Sequence, residues 1–267
     1  MFQGPFEYSI VKKACEKKLV EINLINIRDF GIGKHKMVDD TPYGGGIGMV
    51  MRVDVLSAAI NYAKNIYFEN LNIENSLKIV VAAAKSRLCG VNCKLKIKQS
   101  VILLSAGGKK YTQPKAIEFS KLDHLILVCG HYEGVDERII KYINEEISVG
   151  ECIYTGGEIP SMLIADSVTR LVPGVLKPEA TDNESFSLLK GDRGKVCLEY
   201  PQYTKPTVFE DTSVPDILLS GDHKKIHDWR MNEALKKTKK LRPELLKTPN
   251  TYHCDPAKPE KQSPANF

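Results

Sequence analysis

No stretch of this 267-residue chain stays apolar for the about 20 residues that a membrane-spanning helix needs. The best candidate, IVVAAA at 79–84, is short and flanked by Lys78 and Lys85. The first residues, MFQGPFEYSIVKKACEKK, hold no apolar core followed by small residues of the kind a signal peptide has. No membrane partner is therefore expected, and a cytoplasmic location follows by default. Cysteine is scarce and unpatterned: seven residues, an odd number, with only Cys89 and Cys93 close together in CGVNC. Without a second pair or a neighbouring histidine, free thiols are expected there rather than zinc. The common glycine motifs are missing too. No glycine is followed after four residues by Gly-Lys-Ser/Thr, so there is no P-loop. A dinucleotide fingerprint fails from Gly44, whose sixth position is Met49, and from Gly46, whose sixth position is Met51. The absence of G-x-S-x-G weighs against an α/β-hydrolase. There is no internal repeat.

Apolar residues make up 42% of the chain, enough for a substantial core in one large domain or two of ordinary size. EYSIVKKACEKKLVEINLINI reads as a helix and then a strand, DVLSAAINYAKNIYF as a helix, and LKIVVAAAK as a strand. SVILLSAGG and LDHLILVCGHYEG are apolar runs of strand length. TQPKAIEFSK and DERIIKYINE lie between the apolar segments and read as helices. Alternating strands and helices predict an α/β domain with a mostly parallel sheet. Three segments end in glycine turns, at Gly107 and Gly108, at Gly130 and Gly134, and, in GECIYTGGE, at Gly156 and Gly157. Ligands of parallel sheets settle outside the carboxyl ends of the strands. Three glycine turns at one edge therefore suggest a shared pocket built of backbone, the alternative being three ordinary tight turns.

The net charge of +5 is mild, but its distribution is uneven. Between His223 and Lys247 nine Lys or Arg face only Asp228, Glu233 and Glu244. On a helix over 223–241, Ile226, Met231, Ala234, Leu235 and Leu241 fall on one half. Lys225, Trp229, Lys236, Lys239 and Lys240 fall on the other. An ordinary amphipathic helix explains this pattern. The tryptophan among lysines points instead towards nucleic acid, because phosphates attract cations and bases stack on aromatic faces. The segment VDDTPYGGGIGMVMR, 38–52, sets two aspartates beside four glycines. So much bare backbone next to acid implies a sharp bend, or a flat group lying against peptide bonds.

Five segments, in order, resemble the bacterial tRNA (guanine-N1)-methyltransferase family: VDDTPYGGGIGMVM, LVCGHYEGVDERI, GECIYTGGEIPSMLIADSVTRLVPGVL, YTKP and LLSGDHKKIHDWRMNEALKKTKKLRPELL. The resemblance runs from Met1 to about Lys247. It implies a SPOUT-class α/β fold with a deep trefoil knot, a small helical C-terminal domain and a homodimer with a shared active site. The domains expected are a catalytic domain over 1–177 with an insertion of about 25 residues within 65–100, a linker over 178–200, a helical tRNA-binding domain over 201–248 and a disordered tail over 249–267. Family members open with a short strand that ends just before Met-Phe, so the first family strand is expected to be missing here.

The implied reaction is methyl transfer from S-adenosyl-L-methionine to N1 of the guanosine at position 37 of tRNA, beside the anticodon. The partner is thus tRNA, and no DNA is expected. By resemblance Leu103, Leu104 and Ser105 form the first donor loop, Gly130 the second, and Val149, Gly150, Ile153, Tyr154, Gly156, Gly157 and Pro160 the third. Asp39 and Gly48 fall where the target guanine is bound, matching the flat room and edge contacts a flipped base needs. N1 of neutral guanine carries a proton and is a poor nucleophile, so the reaction needs a base and a cation near O6. The resemblance assigns the base to Glu184, where the family pattern has aspartate, and the cation to Arg170. Asp166, four residues earlier, is the natural helical partner of Arg170. Glu133 matches a family acid near the donor's methionine end, where Mg2+ is the candidate auxiliary cofactor. No residue is assigned as a resident metal ligand, and His131 stands where the pattern has arginine. The rival readings are a SPOUT methyltransferase acting on another RNA and a catalytically silent RNA-binding homologue.

Overall fold

The computed structural model describes residues 2, 4–69, 77–82, 98–177, 180–181, 184–188 and 196–247. The insertion expected within 65–100, with its CGVNC, lies largely outside the described residues, as does the tail over 249–267. The chain divides into two compact units, Met1–Pro178 and Glu179–Phe267.

In the first unit, α1 (Ser9–Glu16) leads into β1 (Val20–Leu24), and a two-residue pair, β2 (Asp39–Asp40) with β3 (Val50–Met51), precedes α2 (Val53–Glu69). Then follow β4 (Leu77–Ala82), β5 (Gln99–Lys110), α3 (Gln113–Phe119), β6 (His124–Cys129), β7 (Glu145–Ser148) and α4 (Glu158–Thr169). Five strands make one sheet in the order β1-β4-β6-β5-β7, and every pair in it is parallel. The expected α/β architecture with a parallel sheet is what the chain adopts.

The apolar runs read as strands because both sheet faces are covered. All six residues of β6 are buried. Leu125, Leu127 and Cys129 join Ile102 and Leu104 of β5 in a core with Ala14, Ala116, Phe119, Ile164, Ala165 and Val168. Ile126 and Val128, with Val101 and Leu103, face the opposite way onto Val55, Leu56, Ala59, Ile60 and Ala63 of α2. The period-two alternation of the strands thus feeds two helical layers. On α4 the buried Ser161, Ile164, Ala165 and Val168 follow helical spacing, and Pro160 sits in the first turn, where its missing N–H costs nothing.

Two expectations change. The stretch DERIIKYINE, read as a helix, is a 3-10 helix over Glu137–Tyr142 followed by the start of β7. β7 carries only one buried apolar residue, Ile147, so nothing in its pattern signals a strand. Its backbone pairing with β5 holds it instead, and Lys115 and Lys109 add ion pairs to Glu145 at 2.8 and 3.2 Å. β5 does not end at Gly107 and Gly108 but runs on to Lys110. Its pairing with β7 slips so that Leu104 and Lys109 both face Ile147, and residues 105–108 bulge out of the ladder.

The second unit has two short antiparallel pairs, β8 (Ser187–Leu188) with β9 (Val196–Cys197) and β10 (Val208–Phe209) with β11 (Thr212–Ser213). Two helices follow, α5 (Asp216–Leu219) and α6 (His223–Leu241). Asp222 caps α6 by accepting a hydrogen bond from the Lys225 N–H at 3.1 Å. A small cluster of Cys197, Ala234, Tyr200, Met231 and Leu235 holds the unit together. Of the residues assigned to the apolar half of α6, Leu241 proves exposed. Trp229, assigned to the solvated half, is half-buried beside Tyr203, with ring centroids 6.3 Å apart.

Candidate active site

Strand order explains why the three glycine turns meet. β5 lies between β6 and β7, so the carboxyl ends of these three parallel strands are neighbours. The segments that follow them line one cavity of about 310 Å3. Leu103, Leu104 and Ser105 line it from β5, Gly130 and Glu133 from the β6 loop, and Val149, Gly150, Ile153, Tyr154, Gly156, Gly157 and Pro160 from the β7 loop and the start of α4. All eleven residues expected to hold the donor thus border the same space. So do Tyr132, Cys152 and Thr155, which the sequence reading did not single out and whose only signal was their place between the loop glycines.

The loops are joined by backbone. The Gly157 N–H donates to the Gly130 carbonyl at 2.7 Å and fixes the start of α4 against the end of β6. A Cβ at Gly157 would lie 2.6 Å from Cys129 Cα and 2.9 Å from the Gly130 nitrogen, so only glycine permits this approach. Cys129 beneath it is fully enclosed, and burial pushes its thiol up to about 12, leaving it neutral packing. At the rim His131 Nδ1 stands 3.7 Å from a carboxylate oxygen of Glu158.

The glycine-rich segment 38–52 is stitched to the same wall. The Glu133 N–H donates to the Met49 carbonyl at 3.1 Å, Met51 N–H to Gly134 at 3.0 Å, and Asp136 N–H to Met51 at 3.0 Å. Asp39, half-buried, pairs with Met51 across β2 and β3. Gly48, at φ +91°, packs so close to Glu133 that a Cβ there would lie 2.3 Å from its Cγ. Glu133, Gly48 and the cavity are therefore contiguous. Between the two strands the loop stands clear of the protein: Tyr43 is 100% and Ile47 96% exposed. Its neck is held by Arg52, unforeseen in the sequence reading, which donates to Asp40 Oδ2 at 2.7 Å and grips both Asp54 oxygens at 3.1 and 2.8 Å. These bonds hold the Asp54 carboxyl below its usual range. Below the wall, Arg138 forks onto Asp136 at 2.9 and 2.6 Å and pulls that carboxyl down to about 2.

Arg170 lies half-buried at the carboxyl end of α4, where its N–H donates to the Asp166 carbonyl at 3.2 Å. Glu184 is half-buried in the second unit, ahead of β8. In that unit Arg230 lies over the Tyr200 ring at 4.9 Å and Arg242 over Phe186 at 6.0 Å.

A cavity lined by loop residues at the carboxyl ends of parallel strands lies where α/β proteins of this architecture bind their ligands. Residues 1–248 match the family described as tRNA (Guanine-1)-methyltransferase TrmD. Among similar proteins, the tRNA (guanine-N(1)-)-methyltransferase of Dictyoglomus turgidum is 48% identical over 247 residues, covering 92% of this chain and 85% of the relative. Those of Geobacillus kaustophilus and Alkaliphilus metalliredigens are 44% and 43% identical, each covering 92% of this chain and 87% of the relative. The chain belongs to the tRNA (guanine-1)-methyltransferase family.

Proposed function

We propose that this protein transfers a methyl group from S-adenosyl-L-methionine to N1 of the guanosine at position 37 of tRNA, in the cytoplasm. Family membership supports the reaction type and the tRNA substrate. The observation that carries the assignment to a site is the convergence of three glycine-bearing loops on one cavity. Its volume, about 310 Å3, suits a small cofactor. Backbone donors and acceptors of the loops are suited to reading an adenine without a charged side chain. When bound, the donor supplies a methyl group already activated on a sulfonium.

The remaining work falls to the chain. Asp39 accepts hydrogen bonds from the guanine edge, and Gly48 borders that base with Glu133 packed against it. Glu184 removes the N1 proton. Arg170 balances the negative charge that then spreads to O6. Glu133 holds its carboxylate on the donor side of the target base. No group of three or more His, Cys, Asp or Glu able to hold a metal is found among the described residues. No helix among them is long and apolar enough to cross a membrane. The second unit, with its basic α6 and its cation-covered rings, supplies further tRNA contacts.

Ile159 and Leu163, one turn apart on α4, are exposed, and so is Ile153 of the β7 loop, apolar surface suited to a second copy. This supports a homodimer, with an active site shared between subunits and the trefoil knot of the SPOUT class at its centre. The test is a methyl-transfer assay on tRNA transcripts with guanosine or another base at position 37, with sedimentation alongside. Transfer confined to guanosine-37 transcripts by a dimer is the expected result. Transfer indifferent to that base points to another RNA target, and tRNA binding without transfer points to a silent homologue.

A further inference from the structure

The segment leading into Asp39 holds a basic turn to which nothing above assigns a role. The Ile32 N–H donates to the Met37 carbonyl at 2.9 Å and the Met37 N–H returns the bond to Ile32 at 3.0 Å. The Lys36 N–H closes the turn on the Gly33 carbonyl at 3.2 Å. The chain folds back so tightly that a Cβ on Gly31 would lie 2.4 Å from the Lys36 carbonyl carbon. Lys34 and His35 are thereby held at an exposed tip.

The charges are arranged unevenly. From residue 28 to 36 there are three cations, Arg28, Lys34 and Lys36, and one carboxylate, Asp29. Lys36 pairs with Asp29 at 3.3 Å, and among the described residues that ion pair leaves out Lys34. The turn is also anchored to the cavity wall: Arg28 Nη2 lies 3.4 Å from the hydroxyl of Tyr132, which lines the cavity. Lys34 lies five positions before Asp39, at most about 18 Å of extended chain. An exposed cation that close to the proposed nucleobase site, with no ion-pair partner among the described residues, matches a nucleic-acid phosphate.

We infer that the Gly31–Met37 turn holds the phosphate backbone flanking the target nucleotide, with Lys34 as its positioning residue. This rests on the functional reading above. It adds a phosphate contact that sets the register of the RNA strand over the cavity without reading sequence.

The test compares the full-length protein with its Lys34→Gln and Lys34→Arg variants. Binding of a tRNA transcript and of its isolated anticodon stem-loop is measured across a salt series, and donor affinity serves as a fold control. Losing one phosphate contact should flatten the slope of log affinity against log salt by about 0.7 to 0.9. That change is expected for Lys34→Gln on both RNAs, with unchanged donor affinity, and Lys34→Arg should restore the slope. In turnover, Lys34→Gln should raise KM for tRNA several-fold and leave kcat within about twofold, the pattern of lost uniform binding. An unchanged slope on tRNA overturns the inference, and so does a slope change that disappears on the stem-loop. The slope comes from binding alone, so it decides the role of Lys34 even where no methyl transfer occurs. Absent transfer counts against the enzymatic reading instead.

Discussion

Two glycine-rich regions of the same unit use glycine for opposite purposes. At the cavity rim Gly157 serves close approach: its φ is −75°, open to any residue, yet the backbone of Cys129 and Gly130 fills the place of a side chain. In the loop over 41–49, Gly44 and Gly45 have φ of +88° and +80° with nothing within 4 Å of a built Cβ. There glycine serves conformation, and the space around it is open. Gly48 combines both, with φ +91° and Glu133 pressed against it. One residue type therefore builds a rigid cradle in one place and an exposed flap in the other. The neighbours, rather than the glycines, decide which.

This contrast yields graded predictions. The largest effect should come from neither glycine region. Glu184→Gln removes the proposed proton acceptor and should lower kcat by about a hundred- to ten-thousandfold. Donor affinity by calorimetry should stay within about twofold. Near-normal turnover would mean that the proton leaves by another route. Gly157→Ala should come next. Its methyl group meets backbone that cannot swing aside, so overpacking of about 1–3 kcal/mol should weaken donor binding about ten- to a hundredfold. Wild-type donor affinity in that variant would show that the cradle tolerates expansion and would end the distinction drawn above.

Gly48→Ala should be intermediate and selective. Glu133 can rotate away, so the donor should still bind, while kcat/KM for tRNA falls about tenfold through misplacement at the base site. Gly44→Ala meets only backbone strain of about 1 kcal/mol, read as a loss of about 2–4 °C in melting temperature. Asp136→Asn tests the wall that both regions share. Arg138 holds the folded-state pKa of Asp136 at about 2, below the ordinary about 3.9. The pair therefore adds stability that is fully present above about pH 4 and is lost as pH falls through 2. Denaturant midpoints of wild type and variant should differ at neutral pH and converge near pH 2.

Much of the first unit was legible because its strands are apolar and its helices periodic. α1, β1, α2, β4, α3 and β6 all fall where hydrophobic pattern puts them. β7 escaped because it rests on pairing with β5 and on one buried isoleucine, contacts that exist only once the sheet has formed. The extension of β5 beyond its glycines escaped for a related reason, since glycine punctuates a strand in sequence but here sits in a bulge. The cavity residues could be named from motif resemblance, but their meeting depends on the order β6-β5-β7, which no local pattern encodes. Arg52 was invisible as a functional element because its partners, Asp40 and Asp54, look like ordinary surface acids on either side of a turn.

That arginine has a bearing on how the protein could be altered. By gripping one acid before the flap and one after it, Arg52 fixes where the segment leaves the sheet and where it returns, whatever lies between. A tether pinned at both ends tolerates changes of length cheaply, at about 0.6 kcal/mol for each doubling. The span from Thr41 to Ile47, ahead of the Gly48 and Met49 contacts to Glu133, is thus an exchangeable cassette, whose replacement leaves the sheet beneath folding as before.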